Sequence, residues 1–253
     1  MKVDHVFYRL LDDENKGFSG WDFSYISDTG RVRSSLLSWS YASLVIPHMQ
    51  EATSMLDMGT GGGEFLAKLG PYPRYVFATE GYGPNVPIAK ERLEPLDVRV
   101  FEITDDHRLP FYKNQFDLVI NQHESYEPSE IVRITKPAGI FLTQQVGGTN
   151  SMEINEAFGV DINSAFGDWN LTTALAELDM QHFEVISSNE EYPVQRFYDV
   201  GALVYYLKAV PWQVPNFTTQ MYEQELYAIH EKIQADGYFD VIEHRFMMRL
   251  RVK

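Results

Sequence analysis

Between residues 54 and 145, short apolar runs recur at residues 55–57, 75–80, 98–101, 116–120 and 139–143, with helix-length stretches between them. Strands spaced in this way pair as parallel neighbours joined by right-handed crossovers. A strand buried on both faces must be apolar along its length, and most of these runs are. The pattern restricts the chain to an α/β domain built on a mainly parallel sheet.

The first run opens into Gly59-Thr60-Gly61-Gly62-Gly63-Glu64. Glycines here permit positive φ and remove the Cβ atoms that hold a ligand away from the backbone. Such a loop, at the carboxyl end of a strand and leading into a helix, is where open α/β sheets place nucleotides. The opening turn of a helix is expected from Glu64. The dinucleotide fingerprint would need its third glycine at position 64. A carboxylate there suits neither a pyrophosphate nor a P-loop, and no Gly-Lys-Ser/Thr follows.

Composition narrows the chemistry. A length of 253 residues fits one α/β domain with an elaborated edge or small cap. The formal net charge is −15, which repels a phosphate backbone and argues against a nucleic-acid partner. The densest basic cluster, Arg31-Val32-Arg33, reads as a solvated loop. With no cysteine there is no disulfide, no thiolate zinc site and no thiol nucleophile. No apolar run is long enough to span a bilayer, and residues 1–5 lack the apolar core of a leader, so a cytoplasmic location without a membrane partner is expected. The residues carry no signal for an oligomeric state.

Three later segments join the loop in a resemblance to class I S-adenosylmethionine (SAM)-dependent methyltransferases, of the type acting on small molecules. Glu80 closes the second run. Thr104-Asp105-Asp106-His107-Arg108-Leu109-Pro110-Phe111, followed by Phe116-Asp117-Leu118-Val119, is similar to the family's acid placed four residues before Leu-Pro-Phe. Residues 130–139 resemble its E-x-x-R-x-L-K-P-G-G turn, departing at Thr135 and Ala138. The resemblance covers about residues 54–145. It implies a Rossmann-like three-layer sandwich with a mostly parallel seven-stranded sheet, an antiparallel last strand near residues 245–251, and an N-terminal helical, aromatic cap. It also implies SAM as cofactor and S-adenosylhomocysteine as product, with no metal. Asp57, Gly59, Thr60, Gly61 and Gly63 would hold the amino-acid end, and Glu80 would accept from the ribose. Asp105, or Asp106 if the loop shifts by one, would take the adenine amino group, with Gly81 and Asn121 alongside. Asp117 reads as structural.

Residues 1–50 are expected to form the cap, with a helix over 35–46 ending before Pro47. Residues 51–253 form the methyltransferase domain, with an insertion at about 146–170 near the substrate. Helices are expected over 171–180, 200–209 and 218–234, and a strand over 182–186. His123 and Glu124 follow the fourth strand, where either could remove an acceptor proton, or could merely brace a loop and cap a helix. Gln144 and Gln145 could orient a polar substrate or face solvent. Trp21, Tyr25, Trp39 and Tyr41 could form an aromatic lid or ordinary core. Residues 121–126 are not the Asn/Asp-Pro-Pro-Tyr/Phe motif used on planar amino nitrogens. The expected function is methyl transfer to a small-molecule acceptor by in-line displacement. The alternatives are an RNA or protein methyltransferase, and a SAM-binding regulator without turnover.

Overall fold

The computed structural model describes residues 4–253; Met1 to Val3, part of the stretch read for a leader, lie outside the described residues. The first third comprises α1 (His5–Leu11), α2 (Ser24–Ser27), β1 (Val32–Ser34), α3 (Tyr41–Glu51), β2 (Ser54–Met58) and β3 (Tyr75–Glu80). Next come α4 (Asn85–Leu93), β4 (Val98–Glu102), β5 (Phe116–Gln122), α5 (Pro128–Ile134), β6 (Thr135–Val146), α6 (Met152–Phe158) and α7 (Leu171–Ala176). The chain ends with β7 (Phe183–Glu191), β8 (Val194–Phe197), α8 (Val200–Ala209), α9 (Glu223–Asp236), β9 (Phe239–Ile242) and β10 (Arg245–Val252).

The main sheet has seven strands in the order β4-β3-β2-β5-β6-β10-β7. β2 through β6 pair in parallel, and β10 runs antiparallel between β6 and β7. The strand order reverses between β2 and β5, so the crevice beyond their carboxyl ends is the natural ligand position. One sheet face packs Met55, Val76, Leu118 and Leu142 against Tyr41, Val45 and Met49 of α3. The other packs Leu56, Val119, Phe141 and Phe246 against Ile131 of α5 and Ala174 of α7. These are the three layers of a Rossmann-like α/β sandwich. At the strand junctions Asp117 has the structural role expected of it: it accepts from the Thr53 and Ser54 amides and from Lys136.

A second core departs from the expected division at residue 50, which falls inside α3. Strands β1, β8 and β9 form a separate antiparallel sheet. Phe7, Ile26 and Val32 pack there with Leu203 of α8, Ile229 of α9 and Val241 of β9. The N-terminal segment therefore shares its core with residues 194–242. Arg31-Val32-Arg33 is not a loop: Val32 and Arg33 pair with Phe197 and Arg196. Arg31 binds Asp199 at 2.5 and 2.8 Å and Asp13 at 2.6 Å.

Several helix boundaries also differ from expectation. Residues 35–40 are not helical: the Ser35 amide donates to the Val194 carbonyl and the Ser38 amide to Glu191, and α3 starts at Tyr41, capped by Ser40. Pro47 lies inside that helix rather than ending it, between the buried Val45 and Met49. The helix expected from Glu64 is reduced to a single 3-10 turn, Leu66–Lys68. Gly70-Pro71-Tyr72-Pro73 follows it at once, and two prolines remove the amides that further turns would need. The helix expected from residue 218 starts at Glu223.

Candidate active site

The glycine loop is held from two sides. Gly59, Gly61 and Gly63 have φ of 64°, 62° and 80°, the left-handed region that favours glycine. Glu80, at the end of β3, accepts from the Gly61 amide at 2.6 Å and from the Tyr82 amide at 2.7 Å, one oxygen for each. Each carboxylate oxygen keeps a lone pair for a further donor. Arg92 of α4 binds the Gly62 carbonyl and the Glu64 carboxylate, which fastens the other side of the loop.

Carboxylates crowd this loop. Asp57 is buried beneath it, and burial raises its pKa to about 7, opposed by the Thr60 hydroxyl and reinforced by the charge of Glu80. Burial also raises the Glu80 carboxyl. Glu124 is raised by burial and then by Asp106 and Glu80. It lies directly against the loop: a Cβ on Gly59 would meet its Cγ at 2.3 Å. Asp106 accepts from Ser125, and Asp105 accepts from the His107 amide at 2.8 Å while remaining exposed. Gly81 follows Glu80 with open space around it, the Ile103 carbonyl being 3.8 Å from a Cβ built there.

On the far side of Glu124 lies a cavity of about 1340 Å³ between the main sheet and the second core. Trp21, His123, Glu124, Tyr126, Gln145 and Trp169 line it, with Tyr206, Trp212 and Arg245. Trp21 forms part of the barrier to the glycine loop: its Cβ would be 3.3 Å from a Cβ on Gly61, and its ring stacks on Trp212 at 6.0 Å. At the other end Arg245 binds Glu243 at 2.6 Å and Asn150 at 2.5 Å.

The expected site residues therefore divide. Asp57, Gly59, Thr60, Gly61, Gly63 and Glu80 gather at the loop. Trp21 and Gln145 line the cavity. Tyr25 does not; its hydroxyl bonds Asp13 at 2.8 Å and its ring packs on Tyr205 in the second core. Tyr41 is core rather than lid, donating to the Asn121 and Leu142 carbonyls. Asn121 is largely committed to the protein: its side-chain oxygen accepts from Thr143 and Gln145, its amide nitrogen gives one of its two hydrogens to the Ser125 carbonyl, and its backbone bonds Tyr41. Gln144 and Gln145 do not act as a pair, because neighbouring strand residues face opposite sides of a sheet. Gln145 is anchored through its amide nitrogen to Asn121, Thr143 and Glu124. Gln144 instead joins Trp39 to His123, so neither Trp39 nor Gln144 lines the cavity.

His123 has φ 62°, a strained conformation for a residue of this size and one that concentrates at ligand sites. Its ring borders the cavity with protein on the other sides. The ring is open to the cavity, and the protein packed around it, followed by the charge of Arg245, lowers its pKa to about 3. Its Nε2 is 3.1 Å from the Gln144 amide nitrogen, so this ring atom is not free to act as a base. Trp169, Trp212, Tyr206 and Arg245 were not expected from the sequence. The only signal was the insertion expected at about 146–170, which contains Trp169.

Residues 56–143 match the family model described as "Methyltransferase domain". The matched stretch runs from β2 into β6 and contains the glycine loop. No curated protein matches it in sequence. A SAM-dependent methyltransferase from Thiobacillus denitrificans, solved with S-adenosylhomocysteine, is similar over 100% of both chains at 13% identity and a TM-score of 0.52. A Bacillus halodurans protein described as a methyltransferase is 18% identical, covering 83% of this chain and 98% of its own, with a TM-score of 0.56. A functionally unknown Deinococcus radiodurans protein matches at 13% identity over 87% and 90% of the two chains, with a TM-score of 0.57. At these identities the structural likenesses establish the fold.

Proposed function

We propose that the protein transfers a methyl group from SAM to a small molecule held in the cavity beside His123 and Glu124. The observation that carries this reading is the position of Glu124, packed on Gly59 of the loop and lining the cavity on its other side. The donor set at the loop fits this cofactor. Asp57, Glu80 and Glu124 are acids, while Arg92 is engaged by Glu64 and the Gly62 carbonyl. Such a site suits a cation or an ammonium group and does not suit a pyrophosphate.

Asp57 and the loop amides would hold the amino-acid end, Glu80 the ribose hydroxyls, and Asp105 the adenine amino group. Asp106 is the weaker choice for that contact, since Ser125 already occupies one of its oxygens. When bound, SAM supplies a methyl group activated by its positive sulfur. This chain's task is alignment of the acceptor behind Glu124 and exclusion of water. A carboxylate with a raised pKa is a stronger base, so Glu124 is the group that takes a proton from the acceptor. The cavity exceeds the roughly 300–1,000 Å³ common for small-molecule sites, which favours a large acceptor. The acidic surface and an acceptor site set in a cleft between two cores favour a small molecule over RNA or protein.

Calorimetry with SAM, S-adenosylhomocysteine and NAD tests the cofactor: the first two bind and NAD does not. Transfer of labelled methyl from SAM into fractionated cell extract tests the acceptor. Label confined to RNA or protein refutes the small-molecule reading, and SAM binding with no label in any fraction supports a regulator.

A further inference from the structure

The hydrogen bonds around His123 fix more than its position. Trp39 Nε1 lies 2.8 Å from Gln144 Oε1. An indole nitrogen can only donate, so the oxygen of the Gln144 amide must face Trp39. The amide nitrogen, which can only donate, then faces His123 Nε2 at 3.1 Å. That ring nitrogen must accept and is bare, and the proton of the neutral imidazole sits on Nδ1. Among the described residues Nδ1 has no protein partner, and the ring borders the cavity. The left-handed backbone at His123, pinned by its amide to the Gln144 carbonyl at 2.8 Å, holds the ring in this place.

We propose that Trp39 and Gln144 are positioning residues that lock His123 as a neutral Nδ1–H donor, and that the methyl acceptor presents an oxygen lone pair, from a carbonyl or carboxylate, to that N–H. The proposal rests on the cavity being the acceptor site. It divides the labour at the end of β5: Glu124 accepts a proton, and His123 donates a hydrogen bond without transferring one. The positive charge of Arg245 nearby favours the same kind of oxygen.

The test is nitrogen-15 correlation spectroscopy of the full chain labelled at its histidine rings, with the His123 signals assigned by their loss in His123→Asn. The wild type is expected to show Nδ1 protonated and Nε2 bare. Gln144→Glu puts an acceptor where a donor stood and moves the proton to Nε2. Trp39→Phe frees the Gln144 amide to rotate, giving a mixture of the two tautomers, and it carries the test if the strand variant does not fold. A wild type protonated at Nε2, or tautomers unchanged in the folded variants, overturns the relay. For the oxygen assignment the probes are benzoate and its hydrocarbon counterpart toluene. Benzoate shifts the Nδ1–H signal in the wild type, toluene does not, and Gln144→Glu abolishes the shift. A benzoate titration that leaves Nδ1–H unmoved overturns that assignment. None of these readouts requires SAM, so failure of the cofactor reading in calorimetry is a separate result.

Discussion

Replacing Asp57 by Asn tests whether a buried acid under the glycine loop resists ionisation. Asp57 is 4% exposed, and its pKa rises from the ordinary 3.8 to about 7, mainly by burial. A carboxyl with a raised pKa in the folded state holds its proton after the unfolded chain has released it. Stability is therefore gained as pH falls through 7 and lost as pH rises towards it. The full displacement corresponds to about 4 kcal/mol against the charged fold at pH 8, of which about half is already felt near pH 5.5, where only the unfolded chain is ionised. Asparagine has a similar shape and no charge. Asp57→Asn should gain on the wild type by about 2 kcal/mol between about pH 5.5 and pH 8, whatever constant offset the amide introduces. Urea unfolding of both proteins across this range measures the gap. Subtraction removes the titrating groups not coupled to Asp57, including His48 and His123, whose lowered pKa values act in the opposite sense; Glu80, coupled to Asp57 by charge, stays in the difference. A gap that stays flat with pH refutes the argument, because it would mean that Asp57 ionises as readily in the fold as in water.

Gly59→Ala places a Cβ against Glu124 at a φ of 64°, and should cost about 1–3 kcal/mol and weaken SAM binding; adding Glu124→Ala should recover only the steric part, leaving the backbone strain, as calorimetry and thermal melts will show. Glu80→Gln replaces one of two acceptors of loop amides with a donor, and should raise the dissociation constant for S-adenosylhomocysteine about tenfold or more while the fold persists by circular dichroism. Arg31→Met strands Asp13 and Asp199, and should cost about 3 kcal/mol in urea and expose the segment before α3 to proteolysis. An unchanged cleavage pattern would show that this ion cluster does not anchor the segment.

The central sheet was legible because its signal is local. Each parallel strand is an apolar run whose limits follow from composition, and Tyr75–Glu80 coincides with the expected range. The second sheet was not, because β1 and β8 are 3 and 4 residues long and pair across the chain. No periodicity reports such a partnership. The helix after the loop failed for another reason: its opening residues are compatible with a helix, and the stop comes from Pro71 and Pro73 further on. At the site, residue types were readable but directions were not. Gln144 and Gln145 are the same side chain on opposite faces, and Trp21 and Tyr25 differ in whether they reach the cavity or the second core.

The pairing of β1 with β8 has a consequence for the order in which the protein is made. Trp21, which roofs the glycine loop, belongs to a segment that leaves the ribosome before the loop does, yet it stacks on Trp212, and its neighbours Arg31 and Val32 are held by Asp199 and Phe197. Until those residues emerge, β2 to β6 can assemble but the roof has nothing to rest on. A nascent chain released before residue 212 would contain every residue of the glycine loop and lack the tryptophan on which its cover stacks. Completion of the pocket thus waits on residues made long after the glycine loop, and a product cut between the two would not resemble a less active version of the whole.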